Sequence, residues 1–147
     1  MAEKYQLSLA EVITVYLASQ KKYLEKKGYR DVTNSEANAI LQIGNGKPRR
    51  IGEIADDLLL TKGTLSITMN SLVKKGYAIK RRGMSDKRAI YISLTPMGEK
   101  VLEVLTEFHE ETVMAYMKNQ TPEGEKVLYD SYQSLMCYLR GEINYDK

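Results

Sequence analysis

Residues 81–88, Arg81-Arg82-Gly83-Met84-Ser85-Asp86-Lys87-Arg88, gather the side chains of this chain best suited to a polyanion. Gly83-Met84-Ser85-Asp86 is turn chemistry, so the cations flank a tight loop. An arginine at such a tip fits the minor groove of A·T-rich DNA, where the negative potential is enhanced. Asp86, two residues from Arg88, can hold the guanidinium in one pose and lower the entropy lost on binding. Upstream, the stretch from Thr61 to about Lys75 sets Lys62, Thr64, Ser66, Ile67, Asn70 and Ser71 opposite an inward stripe of Leu65, Met69, Leu72 and Val73. Hydroxyls and helix N-terminal amides bind phosphate, and Asn and Ser reach base edges. Plainer readings are a solvated helix face and a charged hairpin that resists edge aggregation. A helix and a basic hairpin side by side favour the DNA reading, with phosphate contacts from Lys62, Arg82 and Lys87.

Recognisable start and stop signals bound the elements that must position these groups. Ser8 with Glu11 reads as a capping box for a helix over 8–27, with Leu9, Val12, Ile13, Tyr16, Leu17 and Leu24 on one stripe and Gly28 ending it. Thr33 with Glu36 repeats that signal before Ala37, Ile40, Leu41 and Ile43, and Gly44-Asn45-Gly46-Lys47-Pro48 stops the second helix. A short helix spans Ile51 to Leu58, Leu59-Leu60 makes the turn, Thr61 caps the next helix and Gly76 closes it. The period then changes from 3.6 to 2, with Tyr77 and Ile79 on one strand and Ile90, Ile92 and Leu94 on the next. Thr95-Pro96 opens a long helix to about Lys118, and Thr121-Pro122 opens a last one through Val127, Leu128, Leu135, Tyr138, Leu139 and Ile143. The expected fold is mainly α with a small antiparallel β-hairpin wing. It divides into an N-terminal helix (1–33), a winged helix-turn-helix (34–95) and C-terminal helices (96–147). The first and last helices carry apolar stripes that need a partner surface, which a homodimer supplies.

Bulk properties narrow the classes. The net charge of +3 identifies no partner, but residues 74–88 hold seven Lys and Arg against Asp86 alone, whereas residues 99–125 hold seven Glu against two Lys. That separation suits a directed electrostatic footprint. One cysteine, Cys137, leaves no internal disulfide and suits a reducing cytoplasm. Glu11 and Ser19-Gln20-Lys21-Lys22 interrupt the first apolar stretch, so neither a secretory signal nor a membrane span is expected.

Three segments resemble the winged-helix regulators of the MarR family: Leu72-Val73-Lys74-Lys75-Gly76-Tyr77, Asp86-Lys87-Arg88 and Leu94-Thr95-Pro96-Met97-Gly98. They look like that family's Leu-x-x-x-Gly-hydrophobic step, its Asp-x-Arg wing and its Leu-Thr-x-x-Gly entry to the fifth helix. The resemblance covers nearly the whole chain. It implies an obligate dimer built from the terminal helices, recognition by the 61–75 helix, and a minor-groove contact by Arg88 with Asp86 orienting it. The sequence departs from the pattern at Leu59, where many members carry Gly, and at Ile67, where many carry a basic or amide side chain. Lys62-Gly63-Thr64, Phe108-His109 and the Leu59 turn look most like the branch that represses fatty-acid synthesis genes, whose co-repressor is a long acyl chain on acyl carrier protein.

The expectation is therefore a cytoplasmic, homodimeric repressor that binds a pseudo-palindromic duplex operator, with acyl carrier protein as a possible second partner. A repressor responding to small aromatic ligands and a winged helix used as a protein-interaction module are the alternatives. Tyr16, Tyr23, Phe108, Met114, Tyr116 and Met117 are candidates for an apolar ligand pocket, with ordinary core packing as the plainer account. No metal, cofactor or enzymatic activity is expected: His109 is the sole histidine, Cys137 has no cationic cluster near it, and no nucleophile or phosphate-loop motif occurs.

Overall fold

The computed structural model describes residues 2–142; Ile143, assigned to the last helix by its spacing, lies outside them. The elements run α1 (Ala2–Lys26), α2 (Asn34–Ile43), β1 (Arg49–Arg50), α3 (Ile51–Asp57), α4 (Lys62–Lys74), β2 (Ala78–Arg82), β3 (Ile90–Leu94), α5 (Pro96–Met117) and α6 (Pro122–Leu139). The expected mainly helical winged helix is thus present. The chain forms two compact units whose boundary falls inside α5, between Phe108 and His109.

In the first unit the core gathers Leu24 of α1, Ile40 of α2, Ile54 of α3, Leu65, Met69 and Leu72 of α4, Ile92 of β3 and Leu105 of α5, all with no exposed surface. Each such side chain contributes roughly 1.5–3 kcal/mol of burial. The cap signals at the helix starts recur as bonds. Thr33 and Glu36 form the reciprocal capping box of α2, and the Thr61 hydroxyl accepts from the Thr64 amide at the start of α4. At the head of α5, the Thr95 hydroxyl accepts from the Gly98 amide at 3.2 Å and donates to the Gly76 carbonyl at 2.6 Å. The Gly76-Tyr77 step and the Leu-Thr-x-x-Gly segment, far apart in sequence, therefore grip each other.

Several elements differ from the sequence reading. α1 begins at Ala2, so Ser8 lies within it and caps nothing; the residues before Ser8 are mostly good helix formers that extend the run. The sheet has a third strand, in the order β1-β3-β2, with Arg49 opposite Ile92 and Arg50 opposite Tyr91. Two basic residues after a proline carry no alternating pattern to betray a strand. Val73 sits at the margin of the α4 stripe, 37% exposed. Ala78 takes the inner face of β2, which turns Ile79 outward and brings Lys80 round to the core side opposite Ile92.

Leu59 is the one non-glycine residue with positive φ (53°) among the described residues. The Leu59 amide donates to the Asp56 carbonyl and the Leu60 amide to that of Ala55, which is a Schellman cap with leucine where glycine is favoured. Leu59 is 66% exposed, so its side chain adds little burial. Leu59→Gly is expected to raise stability by about 0.5–1 kcal/mol, read as a higher urea midpoint. A lower midpoint would show that the leucine packs usefully.

In the second unit α6 starts at Thr121, whose hydroxyl accepts from the Gly124 amide, and Pro122 takes the first turn. No α6 residue is buried; Val127, Tyr129, Tyr132, Met136, Tyr138 and Leu139 are exposed. Leu9, Val12, Ile13 and Val15 of α1 are exposed too. No helix among the described residues is long and apolar enough to cross a membrane.

Candidate nucleic-acid interface

α4 and the β2–β3 hairpin carry most of the predicted polar groups at the protein surface. Lys62, Thr64, Ile67 and Asn70 are exposed along α4, with Ser66 half-buried. Arg82, Lys87 and Arg88 are exposed on the hairpin. A groove of about 360 Å³ joins the two elements, and Lys62, Ser66 and Arg88 line it together with Arg50. A second, of about 450 Å³, runs under the hairpin between Lys47, Arg81, Arg82 and Tyr91. Ile67, 73% exposed, is the most prominent apolar group on α4.

The hairpin turn is built tightly. The Gly83 amide donates to the Ala89 carbonyl and the Ala89 amide to that of Asp86. A Cβ on Gly83 would meet the Asp86 carbonyl oxygen at 2.5 Å, which explains the glycine. Asp86 acts differently from the sequence reading. Its Oδ1 accepts from the Arg88 backbone amide at 3.0 Å, and its Oδ2 lies 3.7 Å from the Arg50 guanidinium. Asp86 therefore fixes the backbone that carries Arg88 and ties the turn to β1. No side chain among the described residues pairs with the Arg88 guanidinium itself, which leaves all its donors available.

Ser71 departs from the surface on which its spacing placed it. Its hydroxyl donates to Glu36 Oε1 at 2.7 Å, on the inner side of α4. Lys75 donates to both Glu36 oxygens at 2.9 Å and to the Asp31 carbonyl. Glu36 is 3% exposed, so this cluster clamps α4 onto α2. Asn70 is already engaged: its Oδ1 accepts from Lys80 of β2. Burial holds the Lys80 ammonium below the usual lysine range. Spacing alone gave no hint of Arg50 or Lys80, although the basic run Lys47-Pro48-Arg49-Arg50 was a signal for the former. Arg49 is spent structurally, on Asp57 at 2.7 Å and the Gln42 carbonyl.

Of the candidate ligand-pocket residues, the structure gathers three: the rings of Tyr16 and Tyr23 lie 5.6 and 5.3 Å from that of Phe108. Met114, Tyr116 and Met117 belong to the second unit, where Tyr116 meets Tyr132 edge-on at 6.4 Å. Burial lowers the His109 pKa. The Cys137 thiol is pushed up by a Glu142 hydrogen bond and burial, the opposite of an activated thiol.

The MarR family model matches residues 30–89, the stretch running from the turn before α2 through α4 and β2 to the end of the hairpin turn. That stretch resembles the MarR family. Relatives in sequence include the HTH-type transcriptional regulator SarZ of Staphylococcus aureus, 28% identical over 70% of this chain and 65% of that protein. SarZ of Staphylococcus epidermidis is 26% identical over 99% and 95% respectively. Among solved structures, Streptococcus pneumoniae FabT in complex with DNA superposes with a TM-score of 0.87 at 21% identity, covering 97% of this chain and all of that one. A MarR-family regulator from Listeria monocytogenes complexed with 26mer DNA gives 0.81 at 13% identity over 93% and 89%. These likenesses establish the winged-helix fold.

Proposed function

We propose that this chain is a homodimeric, sequence-specific DNA-binding transcriptional regulator of the MarR type that acts as a repressor. The observation that carries the reading is the shared surface of α4 and the hairpin, where Lys62, Ser66 and Arg88 border one groove and the Arg88 guanidinium has no side-chain partner among the described residues. Thr64, Ser66, Ile67 and Asn70 face the major groove, Lys62, Arg82 and Lys87 neutralise phosphates, and Arg88 enters the minor groove. The DNA-bound states of the two structural neighbours support the same use of the fold. Dimerisation is supported by the unburied apolar residues of α1 and α6, and a two-fold reader suits a pseudo-palindromic operator.

The resemblance of Lys62-Gly63-Thr64 and Phe108-His109 to the fatty-acid branch supports fatty-acid synthesis genes as targets and long-chain acyl carrier protein as co-repressor. The Tyr16–Tyr23–Phe108 cluster supplies apolar surface in the first unit for such a ligand. Arg88→Ala is expected to weaken operator binding by about 1–3 kcal/mol, measured by mobility shift on the DNA upstream of the protein's own gene. Acylated carrier protein should tighten the wild-type complex in the same assay. Unchanged affinity in Arg88→Ala would remove the arginine from the mechanism. Indifference to the acylated carrier, with release by a small aromatic compound, would reassign the effector.

A further inference from the structure

Asn70 and Lys80 form a contact that the general picture of a polar helix face and a basic hairpin does not contain. Asn70 is exposed on the outward side of α4, in the row with Ser66 and Ile67. Lys80 sits on β2 with its side chain on the sheet's inner side, opposite Ile92, because Ala78 rather than Ile79 faces the core. From there its ammonium reaches Asn70 Oδ1 at 2.5 Å. An ammonium only donates, so the amide oxygen must be the atom that faces it. The NH₂ group is the other branch of the carboxamide and takes no part in the Lys80 contact.

We infer that Lys80 sets the base preference of α4 by fixing the Asn70 amide as a donor. This rests on the DNA-binding reading above. A freely rotating asparagine recognises adenine best, because its oxygen accepts from the N6 amino group while its nitrogen donates to N7. Lys80 occupies one of the two lone pairs of Oδ1, so an adenine amino group must take the second beside the ammonium and compete with it, which weakens the bidentate adenine contact. The Nδ2 donors stay available for major-groove acceptors: O6 and N7 of guanine, or O4 of thymine. Cytosine presents an amino donor at the corresponding edge and is disfavoured as adenine is. Lys80 is thus a positioning residue, and Asn70 reads keto bases.

The test is in vitro selection by the full-length protein from a randomised duplex library, followed by affinity measurements on single-base variants of the enriched site. Asn70→Ala should flatten the preference at one position of each half-site, and at that position the wild type should favour guanine or thymine. Lys80→Met removes the ammonium while keeping the length of the stem; it should shift that same position towards adenine by about tenfold, besides weakening all sequences through the lost charge. Lys80→Arg, also a pure donor, should keep the wild-type preference. The inference is overturned if Lys80→Met weakens every variant equally, if the Asn70-dependent position already prefers adenine, or if no position responds to Asn70→Ala. Failure to enrich any sequence would instead refute the DNA-binding reading, and this inference with it.

Discussion

Gly98→Ala is expected to destabilise the protein by about 3 kcal/mol or more, the largest effect of any single methyl group considered for this chain. A Cβ on Gly98 would lie 2.0 Å from the Tyr77 carbonyl oxygen and 3.0 Å from its carbon. Both are backbone atoms, so no side chain can swing aside. The same carbonyl accepts from the Thr95 amide at 3.0 Å, and the Thr95 hydroxyl holds the Gly76 carbonyl. Moving Tyr77 would break both bonds and shift the head of β2, which carries the hairpin. Chemical denaturation followed by circular dichroism measures the loss. A variant within about 1 kcal/mol of wild type would mean that α5 can slide away from β2.

Glu36→Ala is expected to cost about 2–3 kcal/mol. Glu36 is buried and accepts from the Thr33 amide at 2.9 Å, from Ser71 and from Lys75, so its removal takes away the carboxylate half of the α2 capping box and strands the Ser71 and Lys75 donors. The loss is smaller than for a fully buried pair because the Lys75 side chain keeps 28% of its surface in solvent. Glu36→Gln should cost less, since an amide oxygen still caps Thr33. The carboxylate also imposes a pH dependence. Burial acts to raise its pKa, but hydrogen bonds from Ser71, the Thr33 amide and Lys75 together outweigh burial and hold it below the usual value. The folded state therefore binds this proton less readily than the unfolded state. The stabilisation is complete above the ordinary glutamate range and is lost as pH falls through the depressed value. Wild type should lose stability on acidification more steeply than Glu36→Gln; parallel curves would mean that the carboxylate charge contributes nothing.

Local chemistry made much of this fold legible. The Thr33–Glu36 box, the Thr61 and Thr121 caps and the Leu65–Met69–Leu72 stripe depend on residues a few positions apart, and each was read directly. What escaped depends on partners distant in sequence. Ser71 turns inward because Glu36, on α2, offers an acceptor. Lys80 faces α4 because the register pairs Ala78 with Leu94 and Lys80 with Ile92, leaving Ile79 outside. β1 is strand only by virtue of β3 beside it. In the candidate interface, the residue types and their two elements were readable. The Asp86 bond to the Arg88 amide and the Arg50 contact needed the folded turn.

In the proposed function α4 and the hairpin hold duplex DNA through phosphate and groove contacts. The most direct test is the salt dependence of binding to the operator. Lys62, Arg82 and Lys87 from each of two subunits would neutralise about six phosphates, so log K should fall linearly with log salt with a slope of about −5. Specific sequence should still outcompete random duplex at every salt concentration. A slope shallower than about −2, or equal affinity for operator and random DNA, would contradict the account.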